Sequence, residues 1–123
     1  MNKLKQNLTK LKSELEGELY FDDLLLTLYA TDASVYRMLP TAVALPKTTT
    51  DIKKLIAFAK AHHVGLIPRT AGTSLAGQVV GKGIIVDVSK HFTKIISVNE
   101  VEKTVTVQPG VVRDQLNNYL KPY

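Results

Sequence analysis

The stretch Ile67 to Gly83 reads IPRTAGTSLAGQVVGKG, with glycines at positions 72, 77, 81 and 83, hydroxyl side chains at Thr70, Thr73 and Ser74, and one arginine, Arg69. It directly follows a short apolar run. Glycine adopts backbone angles closed to other residues and lets the chain come close to a ligand. Successive N–H groups in such a loop can converge on phosphate oxygens as a nest. Two common phosphate motifs do not fit. Gly72 and Gly77 have the Walker spacing, but Gln78 and Val79 stand where Lys and Ser or Thr are needed, so a triphosphate is not expected. The Gly-x-Gly-x-x-Gly fingerprint is absent, and the apolar run after the loop predicts a strand rather than a helix, which removes the context of a Rossmann dinucleotide site.

The flanks of the loop predict an α/β order. Upstream, Thr41 to Pro46 (TAVALP) reads as a short buried strand closed by its proline. Thr48 and Asp51 then have the spacing of a capping box, and Ile52, Leu55, Ile56 and Ala59 form one apolar helical face that should end near His62 to Gly65. Leu66 to Pro68 is the strand that delivers the chain into the loop. Downstream, Gly83 to Val88 (GIIVDV) is a β-branched strand, and Lys94 to Val98 with Lys103 to Gln108 predict a hairpin. Pro109 and Gly110 end that hairpin, and Val112, Leu116 and Leu120 fall at helical spacing.

At the N-terminus, Leu4, Leu8, Leu11 and Leu15 recur as one stripe of an amphipathic helix. The stripe fits packing against the body of the same chain or against a partner helix. Asp22 and Asp23 precede LLLTLYA, where acidic residues suit a second helix start. Residues 1–37 are thus expected to be an N-terminal helical segment, with a folded lobe over residues 38–123.

A chain of 123 residues can bury a core of its own. It has no run near the roughly 18 apolar residues of a membrane span, and its first residues lack the apolar stretch of a signal peptide. A cytoplasmic location is expected. The absence of cysteine excludes disulfides and cysteine-ligated metal sites within these residues. The net charge of +5 comes mainly from dispersed lysines, with arginine only at positions 37, 69 and 113. It fits a solvated surface, an acidic partner or an anionic membrane surface. Without clustered arginine or an array of exposed aromatics, nucleic acid is not an expected partner. His62, His63 and His91 are expected to face solvent, with no metal role.

Taken together, TDASVYRMLPTAVALP, the capped helix, IPRTAGTSLAGQ, GIIVDVSK and VTVQPGV resemble the N-terminal part of FAD-linked oxidases of the vanillyl-alcohol oxidase and p-cresol methylhydroxylase type. Within that superfamily the chain is most similar to the glycolate oxidase and D-lactate dehydrogenase branch. The resemblance covers roughly Tyr29 to Tyr123. It implies the first lobe of an FAD-binding domain, an α/β (α+β) fold with a small sheet flanked by helices and an N-terminal helical extension. A second lobe would complete the flavin site.

The resemblance also assigns the site. Pro68, Arg69, Thr70, Ala71, Gly72, Thr73, Ser74, Gly77 and Gln78 would cradle the pyrophosphate, with backbone amides from Thr70 to Ser74 and at Gly77 as donors and the Thr73 and Ser74 hydroxyls beside them. Arg69 either neutralises phosphate or braces the loop. Pro109 and Gly110 would end a strand beside the flavin, where a side chain on Gly110 would crowd the cofactor. The chain departs from the family pattern at Thr70 and Ala71, where members commonly carry glycine. Members that attach flavin covalently through this loop have histidine at the position matching Thr73, so FAD is expected to bind this lobe non-covalently.

In the family, the catalytic and substrate-binding residues belong to a later cap domain, and the flavin carries the redox chemistry. These residues are therefore expected to be a fragment without catalytic residues, inactive alone. The full-length enzyme would oxidise a small 2-hydroxy acid such as glycolate or D-lactate, passing a hydride equivalent to flavin N5 and then electrons to a separate acceptor. The resemblance leaves room for membrane association of the full-length protein, at the inner face. The competing reading is a stand-alone, non-catalytic module that binds a phosphate-bearing ligand or a protein.

Overall fold

The computed structural model describes residues 3–123. The element order is α1 (Lys3–Glu14), β1 (Glu18–Tyr20), α2 (Asp23–Leu28), β2 (Ala42–Leu45), α3 (Thr49–His62), β3 (Leu66–Arg69), β4 (Ile84–Asp87), β5 (Ile95–Asn99), β6 (Thr104–Val107) and α4 (Arg113–Leu120). A four-stranded sheet has the order β1-β2-β4-β3, and β5 and β6 form a separate two-stranded sheet. The expected α/β fold is present.

Strands β2, β3 and β4 run parallel, and β1 joins antiparallel at the β2 edge. All four residues of β4, IIVD, are buried, as are the first three of β2. Ala42 to Ala44 of β2 and Ile84 to Val86 of β4 are unbroken runs of β-branched or small apolar residues, the pattern of parallel strands covered on both faces. The core joins Leu19, Ala42, Ala44, Ile84 and Val86 of the sheet to Leu8 and Leu11 of α1 and to Leu55 and Phe58 of α3. The N-terminal leucine stripe is thus spent within the chain. Leu8 and Leu11 are 2% and 4% exposed, and Leu4 and Leu15 pack at the margin. Burial of each such leucine contributes about 1.5–3 kcal/mol.

Two expectations need correction within α3. Ile56 lies on the solvent side, 54% exposed, while Phe58 turns inward with Leu55 and Ala59. The inward stripe runs through positions 51, 55, 58 and 59, because a helical turn of 3.6 residues carries position 56 past the sheet. The cap is also larger than a box. The Thr48 hydroxyl accepts the Asp51 amide hydrogen (3.2 Å), but the fully buried Asp51 carboxylate accepts the amides of Lys47, Glu16 and Gly17, each at 2.9 Å. Burial pushes this carboxyl upward, yet the amides of Lys47, Glu16, Gly17 and Thr48 outweigh it and hold the group below the usual carboxylate range.

Helix α3 stops at His63, whose φ of 52° places it in the left-handed region. The hairpin turn is closed by Asn99 Oδ1, which accepts the Val101 and Glu102 amides at 3.1 and 3.0 Å, with Lys103 left-handed at φ 54°. His62 and His63 are exposed, as expected. His91 is not: its ring is half-buried, with Nε2 3.0 Å from Glu18 Oε2. The β1 strand, which the sequence reading lacked, brings Glu18 to it. Lys90 Nζ pairs with the other oxygen of Glu18, and this pairing holds the Glu18 carboxyl below its ordinary value.

Candidate functional site

Adjacent parallel strands need a crossover of a dozen or more residues, usually a helix. Between β3 and β4 that crossover is the glycine loop, residues 70–83, which leaves the carboxyl end of β3 without forming a helix. Ligands of open α/β sheets bind at the carboxyl ends of the strands. A cleft of about 390 Å³ lies there. Pro68, Arg69, Thr70, Gly72, Thr73, Ser74 and Gln78 line it, and Val79, Val88 and Pro109 complete it. The structure therefore brings Pro109 to the loop across a long stretch of sequence.

Three of the expected site residues do not line this cleft. Ala71 is exposed at the loop surface. Gly77 is left-handed, with φ 70°, and a Cβ there would fall 2.7 Å from Cδ2 of Tyr36. Gly110 is buried, donates its amide hydrogen to the Phe92 carbonyl at 2.8 Å, and has no room for a side chain because a Cβ would lie 2.6 Å from the carbonyl oxygens of both Val88 and Phe92. Its need for glycine is met by the chain's own backbone, so crowding of a cofactor is not required to explain it.

Among the described residues, no group accepts the amide hydrogens of Thr70, Ala71, Gly72, Thr73 or Ser74. A run of unpaired donors at a strand end, with Gly72 left-handed at φ 67°, supplies the free amides that an anion nest needs. The hydroxyls divide. Ser74 Oγ accepts the Ala76 and Gln78 amides (3.3 and 3.2 Å) and donates to Gln78 Oε1 (3.1 Å), so it organises the loop from within. Thr73 is exposed with its hydroxyl uncommitted. Backbone donors and that hydroxyl fit a pyrophosphate, and the cleft could hold one.

Arg69 has bracing contacts. Its Nη1 donates to the Thr31 carbonyl at 2.8 Å, and its guanidinium carbon stands 5.1 Å from the centre of the Tyr29 ring. Tyr29 donates its hydroxyl hydrogen to Asp87 Oδ2 at 2.6 Å, and Asp87 Oδ1 accepts both the amide and the hydroxyl of Ser89. Nearby, Asp32 Oδ1 accepts the Ser34 amide at 2.8 Å, whereas its buried Oδ2 has no partner within hydrogen-bond distance among the described residues. Ser34 chiefly, with help from Ser74 and the Arg69 charge, holds the Asp32 carboxyl below its ordinary value despite desolvation. Sequence reasoning quoted this segment but gave Tyr29, Asp32 and Tyr36 no role. The contacts of Tyr29 with Asp87 and Arg69, and of Tyr36 with Gly77, span some forty to sixty residues, and no local pattern marks them.

The FAD binding domain family matches residues 40–123. The chain belongs to the FAD binding domain family. It is 45% identical over 97 residues to D-2-hydroxyglutarate dehydrogenase of Haemophilus influenzae, covering 76% of this chain and 9% of that protein. It is 36% identical over 86 residues to the glycolate oxidase subunit GlcD of Bacillus subtilis, covering 68% of this chain and 18% of that protein. The chain thus spans about a tenth to a fifth of the length of these relatives. A structure of p-cresol methylhydroxylase with substrate bound superposes with a TM-score of 0.75 at 16% identity, over 97% of this chain and 24% of that one. That likeness establishes the p-cresol methylhydroxylase type of fold expected from the sequence. No helix among the described residues is long and apolar enough to cross a membrane.

Proposed function

We propose that this chain is the pyrophosphate-binding lobe of an FAD-dependent oxidoreductase that acts on the CH–OH carbon of a small 2-hydroxy acid, of the class of D-2-hydroxyglutarate, D-lactate or glycolate. One observation carries the reading: the unpaired amides of Thr70 to Ser74 in the loop that leaves the carboxyl end of β3, of which Thr70, Gly72, Thr73 and Ser74 line one cleft with Pro109. Those amides and the Thr73 hydroxyl would hold the pyrophosphate. Ser74 and Gln78 would keep the loop in shape, and Arg69 would brace it from behind.

The flavin, when bound, supplies the acceptor for the hydride equivalent that leaves the substrate carbon. Binding through this lobe is non-covalent, since Thr73 offers no ring nitrogen for attachment. Residues 38–123 form the lobe and residues 1–37 an extension that buttresses it. The rest of the flavin site and the whole substrate site come from polypeptide outside these residues. A cytoplasmic enzyme, peripheral to the inner face of a membrane and passing electrons to a separate acceptor, completes the reading. Dispersed surface lysines suit such contact.

The test is to produce the polypeptide encoded by the complete gene, record its visible spectrum, and add D-2-hydroxyglutarate, D-lactate and glycolate without oxygen. Flavin absorbance that bleaches with one of the acids is expected. A folded, colourless product that takes up no added FAD would overturn the reading and favour a stand-alone phosphate-ligand or protein-binding module.

A further inference from the structure

None of residues 29–36 lines the cleft, yet this segment holds the one arginine around which the loop turns. The approach is close: a Cβ on Gly72 would fall 2.3 Å from Nη2 of Arg69, so the loop backbone passes directly over the guanidinium. That guanidinium is fixed from two sides, by the Thr31 carbonyl and by the face of the Tyr29 ring. A ring face attracts a cation through its quadrupole and fixes the plane of a guanidinium better than a point contact does. The ring is itself fixed, because its hydroxyl is bonded to Asp87 at the end of β4. Burial first, and Asp87 next, push the Tyr29 hydroxyl up to about 12, so it stays a donor throughout the physiological range.

We infer that Tyr29 is a positioning residue for the phosphate loop: it orients the Arg69 guanidinium, which in turn sets the direction of the amides of residues 70–74 without Tyr29 touching a ligand. The inference rests on the pyrophosphate reading above. It explains why an arginine beside an anion site turns towards a carbonyl and an aromatic ring. It also ties the start of the 29–36 segment to the cleft through Asp87, whose chain neighbour Val88 lines the cleft.

A double-mutant cycle in the polypeptide from the complete gene tests this, with FAD affinity of the apoprotein read from flavin fluorescence. Tyr29→Leu and Arg69→Gln should each weaken FAD binding by about five- to thirtyfold. The double variant should be no weaker than the worse single variant within about twofold, because both changes remove one coupled element. Tyr29→Phe keeps the ring face but loses its tie to Asp87, so its affinity should fall between those of the parent and Tyr29→Leu. Independent, multiplying losses would overturn the inference, as would parental affinity in Tyr29→Leu. Should Tyr29→Leu not fold, progressively fluorinated phenylalanines at position 29 drain the ring face at nearly constant shape; a stepwise fall in affinity is expected, and a flat series overturns the inference. Failure of the parent itself to bind FAD would instead sink the pyrophosphate reading.

Discussion

The buried carboxylate of Asp51 accepts the amide hydrogen of Gly17 at 2.9 Å across 34 residues of sequence, and so ties the turn after α1 to the start of α3. Glu16 and Lys47 donate to the same carboxylate. Asp51→Ala leaves these donors inside the fold with no acceptor. A loss of about 3 kcal/mol in unfolding free energy is expected from urea titration. A loss below about 0.5 kcal/mol would show that water replaces the carboxylate at no cost.

The same group predicts an acid dependence. Its folded value is depressed, so the folded state favours the ionised form. The corresponding stability is fully present above the unfolded value of about 3.9 and is lost as pH falls through the lower folded value. Stability measured from pH 7 downward should therefore fall more steeply below about pH 4 in the parent than in Asp51→Asn. Parallel curves would remove Asp51 from the acid transition.

Gly65 and Gly83 sit beside each other at the entry to β3 and β4 but have opposite surroundings. A Cβ on Gly83 would lie 2.4 Å from the Gly65 carbonyl oxygen, which accepts the Ile84 amide, whereas a Cβ on Gly65 meets nothing within 4 Å. Gly83→Ala should cost about 1–3 kcal/mol through backbone displacement. Gly65→Ala should be neutral or stabilise by up to about 1 kcal/mol, by restricting the unfolded chain. Thermal unfolding of the two variants decides this, and an equal effect would refute the packing difference.

What could be read from the sequence was whatever the chain builds from neighbouring residues. The glycine loop, its flanking strands and the capped helix are local, and Pro68, Arg69, Thr70, Gly72, Thr73, Ser74 and Gln78 line the cleft together. Three-residue β1 is too short for any periodicity, and it forms because β2 offers an edge, with Leu19 opposite Ala44. The inward turn of Phe58 and the outward turn of Ile56 depend on where the sheet lies beneath α3. The burial of His91 depends on Glu18, and the bracing of Arg69 on Tyr29 and Thr31. Such partners meet only after the sheet has closed.

Gly77 is left-handed, with φ 70°, and lies against the Tyr36 ring. Gly77→Val imposes a branched side chain on that conformation, at a cost of order 1–2 kcal/mol before any clash. In the proposed site the loop would shift, and FAD affinity should fall by about tenfold or more. Lys53→Ala, on the exposed face of α3, should leave it unchanged. Equal affinities for parent, Gly77→Val and Lys53→Ala would move the phosphates elsewhere.

Gly110 separates a structural need from a cofactor need. Its missing side chain makes room for two carbonyls, those of Val88 and Phe92, and its amide is bonded to the latter. A methyl group at 2.6 Å from both must push the end of β6 away from the β4–β5 connection. Gly110→Ala should therefore destabilise the protein by about 1–3 kcal/mol with no flavin present. If cofactor crowding were the reason for glycine here, the apoprotein would unfold like the parent and only FAD affinity would drop. Urea titration of the apoprotein decides between them, and the positions of the two carbonyls favour the first outcome. Because Val88 lines the cleft and Gly110 follows Pro109, the displacement would also reach the site. FAD affinity should then fall as a consequence of the shift.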